Sequence, residues 1–180
     1  MGTRHLIAIV VDNEIKVAQY NQWDGYPSGQ GVKILSILRE GLSESFKDKV
    51  RACSWLTEED IEEINKHDDW SDKWPWLSRD CSSNIFKYIE DSEGLKLLDR
   101  RNFAGDSLFC EWGYVVDLDN STLEVYSGFN KESVSAGERF ADVERDNKDF
   151  YPIRLKKIYK FDALPDNVTF CSELNPTDED

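Results

Sequence analysis

The chain has 180 residues, 39% hydrophobic and 12% aromatic, which is enough to build one packed domain and excludes wholesale disorder. Its 36 acidic and 22 basic residues give a net charge of −14, which argues against direct nucleic-acid binding and against docking on an anionic membrane. No apolar run approaches the length of a transmembrane helix, and no motif names a reaction.

The N-terminal residues, the two histidines and the four cysteines favour an intracellular protein without a cofactor. The first residues lack the apolar stretch of a secretory signal, so we expect a cytoplasmic location. The two histidines, His5 and His67, are far apart in sequence, which does not favour a zinc site. The cysteines form no C-x-x-C pair, and we expect reduced thiols at Cys53, Cys81, Cys110 and Cys171.

The N-terminal part of the chain predicts a hairpin, a loop and a helix. Apolar, β-branched residues over 4–11, an Asp-Asn turn and alternating residues over 14–20 predict a β-hairpin. Three glycines and a proline over 21–31 predict a loop. The apolar residues over 32–38 predict a buried helix that ends near Gly41.

A block of helices is predicted next. One helix is expected over about 43–54, and a second begins after Thr57, a good N-cap residue. The apolar stripe of this second helix is thin, so we expect it on the surface. The Trp-rich stretch 67–78 predicts irregular structure, and a further helix is expected over about 79–91.

The C-terminal half predicts strands again. A strand over 108–118 and its partner over 122–126 form a second hairpin. The polar residues 130–149 predict either an exposed helix or a mobile excursion. A last strand is expected near 151–161, where the apolar period slips once, as at a bulge.

This order of elements predicts the fold class. Paired strands, a grouped helical block and a C-terminal strand favour an α+β fold with a mostly antiparallel sheet. We expect a single domain over residues 1–165, followed by a flexible acidic tail over 166–180.

The strongest local signal is the loop Gln22–Gly31, which joins a strand to the start of a helix. Such a loop can aim backbone N–H groups at an anion, with Asp24 as an acceptor and Tyr26 as a stacking ring. The alternative is a rigid connection in which Asp24 caps the turn and the glycines adopt positive φ. The spacing matches neither a Walker A loop nor a Rossmann fingerprint.

The Met-Gly-Thr-Arg start and the Gln-Trp-Asp-Gly-Tyr-Pro-Ser-Gly loop resemble a family of uncharacterised proteins from fungi, bacteria and phages. Residues 77–80 and 110–119 are similar to its fungal members. The family brings no established activity, but the resemblance implies that several of these residues share a site. We therefore predict a ligand-binding site made of Arg4, Gln22, Asp24, Tyr26, Ser28, Arg79 and Asp80.

A second resemblance concerns topology. N-terminal nucleophile hydrolases also begin with a nucleophile before a hairpin, which implies Thr3 as a nucleophile activated by its own amine. Removal of Met1 would instead expose Gly2. The resemblance therefore implies either hydrolase chemistry or a related fold without it.

Three other features each allow two interpretations. Arg79-Asp80 is either a functional pair or a local ion pair at a helix start. Glu111 is either a buried acid of raised pKa or an outward-facing residue. The three tryptophans of the stretch 67–78 either stack on a base or sugar or seal the core; they are Trp70, Trp74 and Trp76.

Two functions remain. The first is binding, or hydrolysis, of a small polar ligand, nucleotide-like or amide-bearing, at the N-terminal hairpin and the loop 22–31. The alternative is an acidic interaction module or inhibitor that binds a basic protein partner.

Overall fold

The computed structural model describes residues 2–175. Within this range the chain forms seven β-strands, namely β1 (His5–Val11), β2 (Glu14–Asn21), β3 (Ser54–Trp55), β4 (Lys96–Leu97), β5 (Trp112–Asp117), β6 (Thr122–Ser127) and β7 (Arg154–Lys160). It also forms six α-helices, namely α1 (Val32–Glu40), α2 (Phe46–Arg51), α3 (Glu58–Asn65), α4 (Trp70–Lys73), α5 (Ile85–Glu90) and α6 (Asn167–Leu174). Among the described residues, no helix has the length and apolar character needed to cross a membrane.

The main sheet is mixed, with the strand order β2-β1-β5-β6-β7. Three of its four pairings are antiparallel, and only β1 and β5 run parallel. The short strands β3 and β4 form a separate parallel ladder. This arrangement is the α+β fold with a mostly antiparallel sheet that the element order predicts.

Strand β1 is buried on both faces, and each of its seven residues is at most 1% exposed. Its odd-numbered apolar residues, such as Ile7 and Ile9, belong to one core, which α1, α2, α5 and α6 cover. Its even-numbered residues, such as Leu6 and Ala8, belong to a second core on the other face. Full burial of one such aliphatic side chain contributes about 1.5–3 kcal/mol to folding, so both faces of the sheet need a cover.

Local signals place the starts and ends of several elements correctly. The Thr57 hydroxyl accepts a hydrogen bond from the Asp60 N–H, and the Asp60 carboxylate accepts one from the Thr57 N–H, which is a reciprocal capping box. No residue of α3 is buried, so this helix lies on the surface as predicted. Helix α1 ends at Gly41, whose φ of 93° suits glycine.

The predicted bulge is also present. Between Val125 and Tyr126 the pairing of β6 with β7 jumps from Lys157 to Leu155, so Lys156 is the extra residue. The slip in the apolar period therefore reflects this bulge, at which the side chains of β7 change the face of the sheet to which they point.

The segment 130–149 forms neither of the two predicted structures. It contains no helix, and it packs on the second core, where the ring of the buried Phe140 lies 5.1 Å from that of Tyr126. Its polar composition hides this role, because one buried aromatic residue is too little to produce a periodic signal.

Several boundaries differ from the prediction. The strand expected from residue 108 begins only at Trp112, and the helix expected over 79–91 is reduced to α5 because residues 82–84 form a 3₁₀ turn. The tail predicted from residue 166 is wrong for residues 167–174, which form α6 with Phe170 buried in the first core. The remainder of that predicted tail, residues 176–180, lies outside the described residues.

A buried ion cluster attaches the segment 130–149 to the sheet. The Arg139 guanidinium donates to Glu124 Oε2 at 2.6 Å and to Asp117 Oδ2 at 3.1 Å, and both carboxylates are buried on the sheet. The Tyr126 hydroxyl donates to Glu124 Oε1 at 2.7 Å. Charge-assisted hydrogen bonds in a poorly hydrated site are strong, and removal of one partner leaves the other charge buried without compensation.

We therefore expect Arg139→Met to lower the free energy of unfolding by about 3 kcal/mol, because it leaves two buried carboxylates without a cation. Urea titration followed by circular dichroism measures this change. Arg154→Met is the matched control, since its pair with Glu132 is exposed and is worth at most about 1 kcal/mol. Equal losses in the two variants would show that the cluster is not a structural attachment.

Candidate functional site

The loop after β2 meets the segment that carries Arg79 and Asp80. The Gln22 N–H donates to the Arg79 carbonyl at 2.9 Å, and the Trp23 Nε1–H donates to Asp80 Oδ1 at 2.7 Å. The structure thus brings these two predicted regions together. The Arg79–Asp80 ion pair that the sequence suggests is absent among the described residues, since Asp80 is bound by Trp23 instead.

The loop is held rigidly by its own backbone. Residues Pro27–Gly31 form a π-helical turn, a rare conformation that recurs at functional sites. Asp24 has a φ of 54°, and its carbonyl accepts from the Gln30 N–H at 2.8 Å. A side chain at Gly29 would collide with that carbonyl oxygen, so the close turn requires glycine.

The other predicted site residues of the loop are exposed. The Tyr26 hydroxyl donates to Asp24 Oδ1 at 3.4 Å, and Ser28 is exposed beside them. Arg4 has its contacts on the β5 side, where its N–H donates to the Glu111 carboxylate and its guanidinium lies 5.0 Å from the Phe109 ring centroid. Glu111 is exposed, so its interpretation as a buried acid is wrong.

His5 lies fully buried beneath the loop, and neither of its ring nitrogens has a hydrogen-bond partner. Gly25 packs on the ring, where a Cβ would lie 2.6 Å from the imidazole Nδ1. Gly25 is held by its N–H to the Thr3 carbonyl at 2.9 Å and by its carbonyl to the Tyr114 hydroxyl at 2.7 Å. Thr3, which the hydrolase resemblance implies as a nucleophile, is half-buried here.

Burial lowers the pKa of His5 from 6.5 to about 4, although two smaller effects act in the opposite direction: the Asp24 charge and the Thr3 backbone, whose contact with the ring falls short of hydrogen-bond geometry. The unfolded chain therefore binds a proton on His5 at a higher pH than the folded chain does. Stability is lost as the pH falls from about 6.5 toward 4, because protonation then favours the unfolded state.

We expect the free energy of unfolding to fall by about 2 kcal/mol more in the wild type than in His5→Phe when the pH is lowered from 7 to 5. The Phe ring fills a similar space and does not titrate, so other groups contribute equally to both proteins. Urea titrations at the two pH values provide the comparison. Identical pH dependence would mean that His5 is hydrated or paired in solution.

A cleft of about 450 Å³ opens beside β2, next to the loop. Its walls come from the edge of β2, from α3 and from the segment 70–80. Apolar side chains line most of it, including Leu56, Ile61 and Ile64. Three aromatic residues also face it, namely Tyr20, Trp70 and Trp76.

Hydrogen bonds fix the walls of this cleft. The Gln19 side chain donates to the Trp76 carbonyl at 2.6 Å, and the Trp76 indole N–H donates to the Lys96 carbonyl at 3.2 Å. The Tyr20 hydroxyl donates to Gln22 Oε1, which connects the cleft to the loop. Trp70, by contrast, is 38% exposed and leaves its ring open to a ligand.

The charged residues of the cleft are Arg79, Asp80 and Arg100. Within residues 2–175 neither guanidinium makes a side-chain hydrogen bond or an ion pair, whereas the Asp80 carboxylate binds Trp23. The lining therefore carries one net positive charge in a chain whose net charge is −14. Two unpaired arginines beside apolar walls suit an anionic group on a flat apolar molecule.

The Trp-rich stretch thus has a mixed role. Trp70 and Trp76 line the cleft, while Trp74 packs edge-on against His67 at 5.4 Å between ring centroids. Sequence reasoning missed the cleft because its walls come from distant segments. The one available signal was the thin apolar stripe of α3, since Ile61 and Ile64 are too few for a core-facing helix.

A second groove of about 810 Å³ lies on the face of the sheet that carries the second core. It is larger but polar, and two of its three cations are occupied: the Arg101 guanidinium binds Asp99 at 2.9 Å, and that of Arg139 binds Glu124. Arg101 also lies 5.6 Å from the Trp55 ring centroid. These internal pairs leave the smaller cleft as the better site for an anionic ligand.

No protein-family model, curated protein or solved structure matches this chain. The resemblance to the Met-Gly-Thr-Arg family therefore stays a prediction. Among residues 2–175, no three His, Cys, Asp or Glu side chains are grouped as ligands of a metal ion.

Proposed function

We propose that this protein binds a small molecule with a flat apolar part and an anionic group in the cleft between β2, α3 and the segment 70–80. The observation that carries the proposal is the pair of unpaired guanidinium groups, Arg79 and Arg100, beside an open Trp70 ring. A nucleotide-like ligand, with a base and a phosphate, belongs to this class.

Two interactions supply the affinity. Stacking of a planar ring on an aromatic side chain is worth about 1–3 kcal/mol. An arginine binds a carboxylate, sulfate or phosphate group through two N–H groups, and apolar surroundings strengthen that contact. The proposal assigns binding and no reaction, because among the described residues the two serines of the lining, Ser71 and Ser78, make no hydrogen bond to a side chain that could act as a general base.

The loop 22–31 takes a supporting role in this proposal. Its contacts with Arg79 and Asp80 fix one wall of the cleft, and the hydrogen bond between Tyr20 and Gln22 fixes another. Of the predicted site residues, Arg79 and Asp80 line the cleft, and Gln22 is hydrogen-bonded to Arg79 and Tyr20 in its walls. The other predicted residues of the loop are exposed; they are Asp24, Tyr26 and Ser28.

We expect saturable binding of 8-anilinonaphthalene-1-sulfonate, whose naphthalene ring and sulfonate match the two halves of the cleft. Its neutral counterpart, N-phenyl-1-naphthylamine, lacks the sulfonate and is expected to bind about tenfold more weakly. Dye fluorescence at several protein concentrations measures both affinities. Equal affinity of the two dyes would show that the cleft does not recognise an anionic group, which contradicts this part of the proposal.

Variants locate the site. Arg100→Met and Trp70→Ala are each expected to weaken sulfonate binding about tenfold, since each removes one of the two interactions. Lys148→Met is the control, because it removes an exposed cation from the irregular segment on the second core. If the control weakens binding as much as Arg100→Met, the dye binds through net charge alone. Near-ultraviolet circular dichroism of each variant checks that the fold is intact.

A further inference from the structure

Four exposed aromatic side chains lie at one end of the sheet. Trp23 and Tyr26 follow β2, Phe109 precedes β5, and Phe129 follows β6. Their exposed fractions are 45%, 39%, 47% and 68%, respectively. Exposed apolar side chains that share one end of a domain are typical of interaction surfaces.

Two of these rings already have a cation of their own. The Arg4 guanidinium lies 5.0 Å from the Phe109 ring centroid, and the Lys131 ammonium lies 5.7 Å from that of Phe129. Attraction between a cation and the face of an aromatic ring explains both contacts. This end of the molecule therefore already holds two of the chain's own cations against aromatic rings.

The other two rings are paired with carboxylates instead. The Trp23 indole N–H donates to Asp80 at 2.7 Å, and the Tyr26 hydroxyl donates to Asp24 at 3.4 Å. Within the described residues no cation lies over either ring. An exposed aromatic ring beside a carboxylate offers two attractions, stacking and charge, to an incoming guanidinium or ammonium group.

The loop that displays Trp23 and Tyr26 is already in a fixed conformation. The contacts of Asp24 with Gln30 and of Gly25 with Thr3 hold its backbone. Gly2 packs so closely on Trp23 that a Cβ there would lie 2.5 Å from the indole ring. A rigid surface loses little conformational entropy on binding.

We propose that Trp23, Asp24 and Tyr26 form a docking surface for arginine or lysine side chains of a basic partner protein. The charge of −14 steers a basic partner toward this chain from a distance. It also disfavours a second copy of the chain as the occupant, because that copy carries the same charge. This surface adjoins the ligand cleft proposed above, because the Asp80 carboxylate that Trp23 binds also lines that cleft, but neither proposal depends on the other.

The test uses a blocked peptide with three arginines separated by glycines and a second peptide with citrulline in place of each arginine. Citrulline keeps the shape of arginine and removes its charge. In ¹H–¹⁵N spectra we expect the arginine peptide to shift the Trp23 indole signal and the Gly25 amide signal saturably, and the citrulline peptide to leave them in place. Equal shifts with both peptides, or shifts confined to α3, would overturn the proposal.

A matched pair of variants separates docking from general attraction between opposite charges. Asp24→Asn keeps a residue that tolerates positive φ, and we expect it to weaken binding of the arginine peptide about three- to tenfold. Glu59→Gln removes the same charge from exposed α3, and we expect less than about a twofold effect, since salt screens distant charges. Equal weakening in both variants would overturn the proposal. So would a shift of the Trp23 signal on dilution without peptide, because that result would assign the surface to a second copy.

Discussion

The burial of β1 on both faces is the constraint from which the rest of the structure follows. A strand that is apolar at every position lowers the free energy only where two layers cover it. One layer consists of α-helices, whose apolar residues recur with the helical period. The other is built from irregular segments, and the ion cluster around Arg139 holds the largest of them in place. Because one layer is helical and the other is irregular, the sequence shows helical periodicity in its first half and no apolar period between residues 130 and 149.

The same constraint creates the cleft. Strand β2 is an edge strand, and its outer side is only partly covered, by the hydrogen bond from the Arg100 N–H to the Ala18 carbonyl. Helix α3 and the segment 70–80 complete the cover without burying any residue of α3. A surface helix held by a thin apolar stripe leaves a gap between itself and the sheet, and that gap is lined by aromatic side chains.

Features set by neighbouring residues could be predicted from the sequence. The Asp12-Asn13 turn, with φ values of 53° and 59°, the cap at Thr57 and the bulge at Lys156 each depend on a few adjacent side chains. The contact of the loop 22–31 with Arg79 and Asp80 was expected only from a family resemblance.

Features set by distant residues could not be predicted. The cleft joins Tyr20, Ile61, Trp70 and Arg100, which are separated by up to eighty positions in the chain, so no local pattern contains it. Helix α6 was missed because it has only eight residues and buries only two of them, Phe170 and Leu174. His5 is equally invisible in sequence, since only the packing of Gly25 and Tyr114 makes it a buried, unpaired imidazole.

The six tryptophans allow the central claim, a ligand site in the smaller cleft, to be tested in one spectrum. Each indole N–H gives its own signal, and the protein is titrated with 8-anilinonaphthalene-1-sulfonate. The account predicts saturable shifts for Trp70 and Trp76, which line the cleft, and none for Trp55, which lines the larger groove. Shifts of Trp55 alone, or no saturable shift at Trp70 and Trp76, would contradict it.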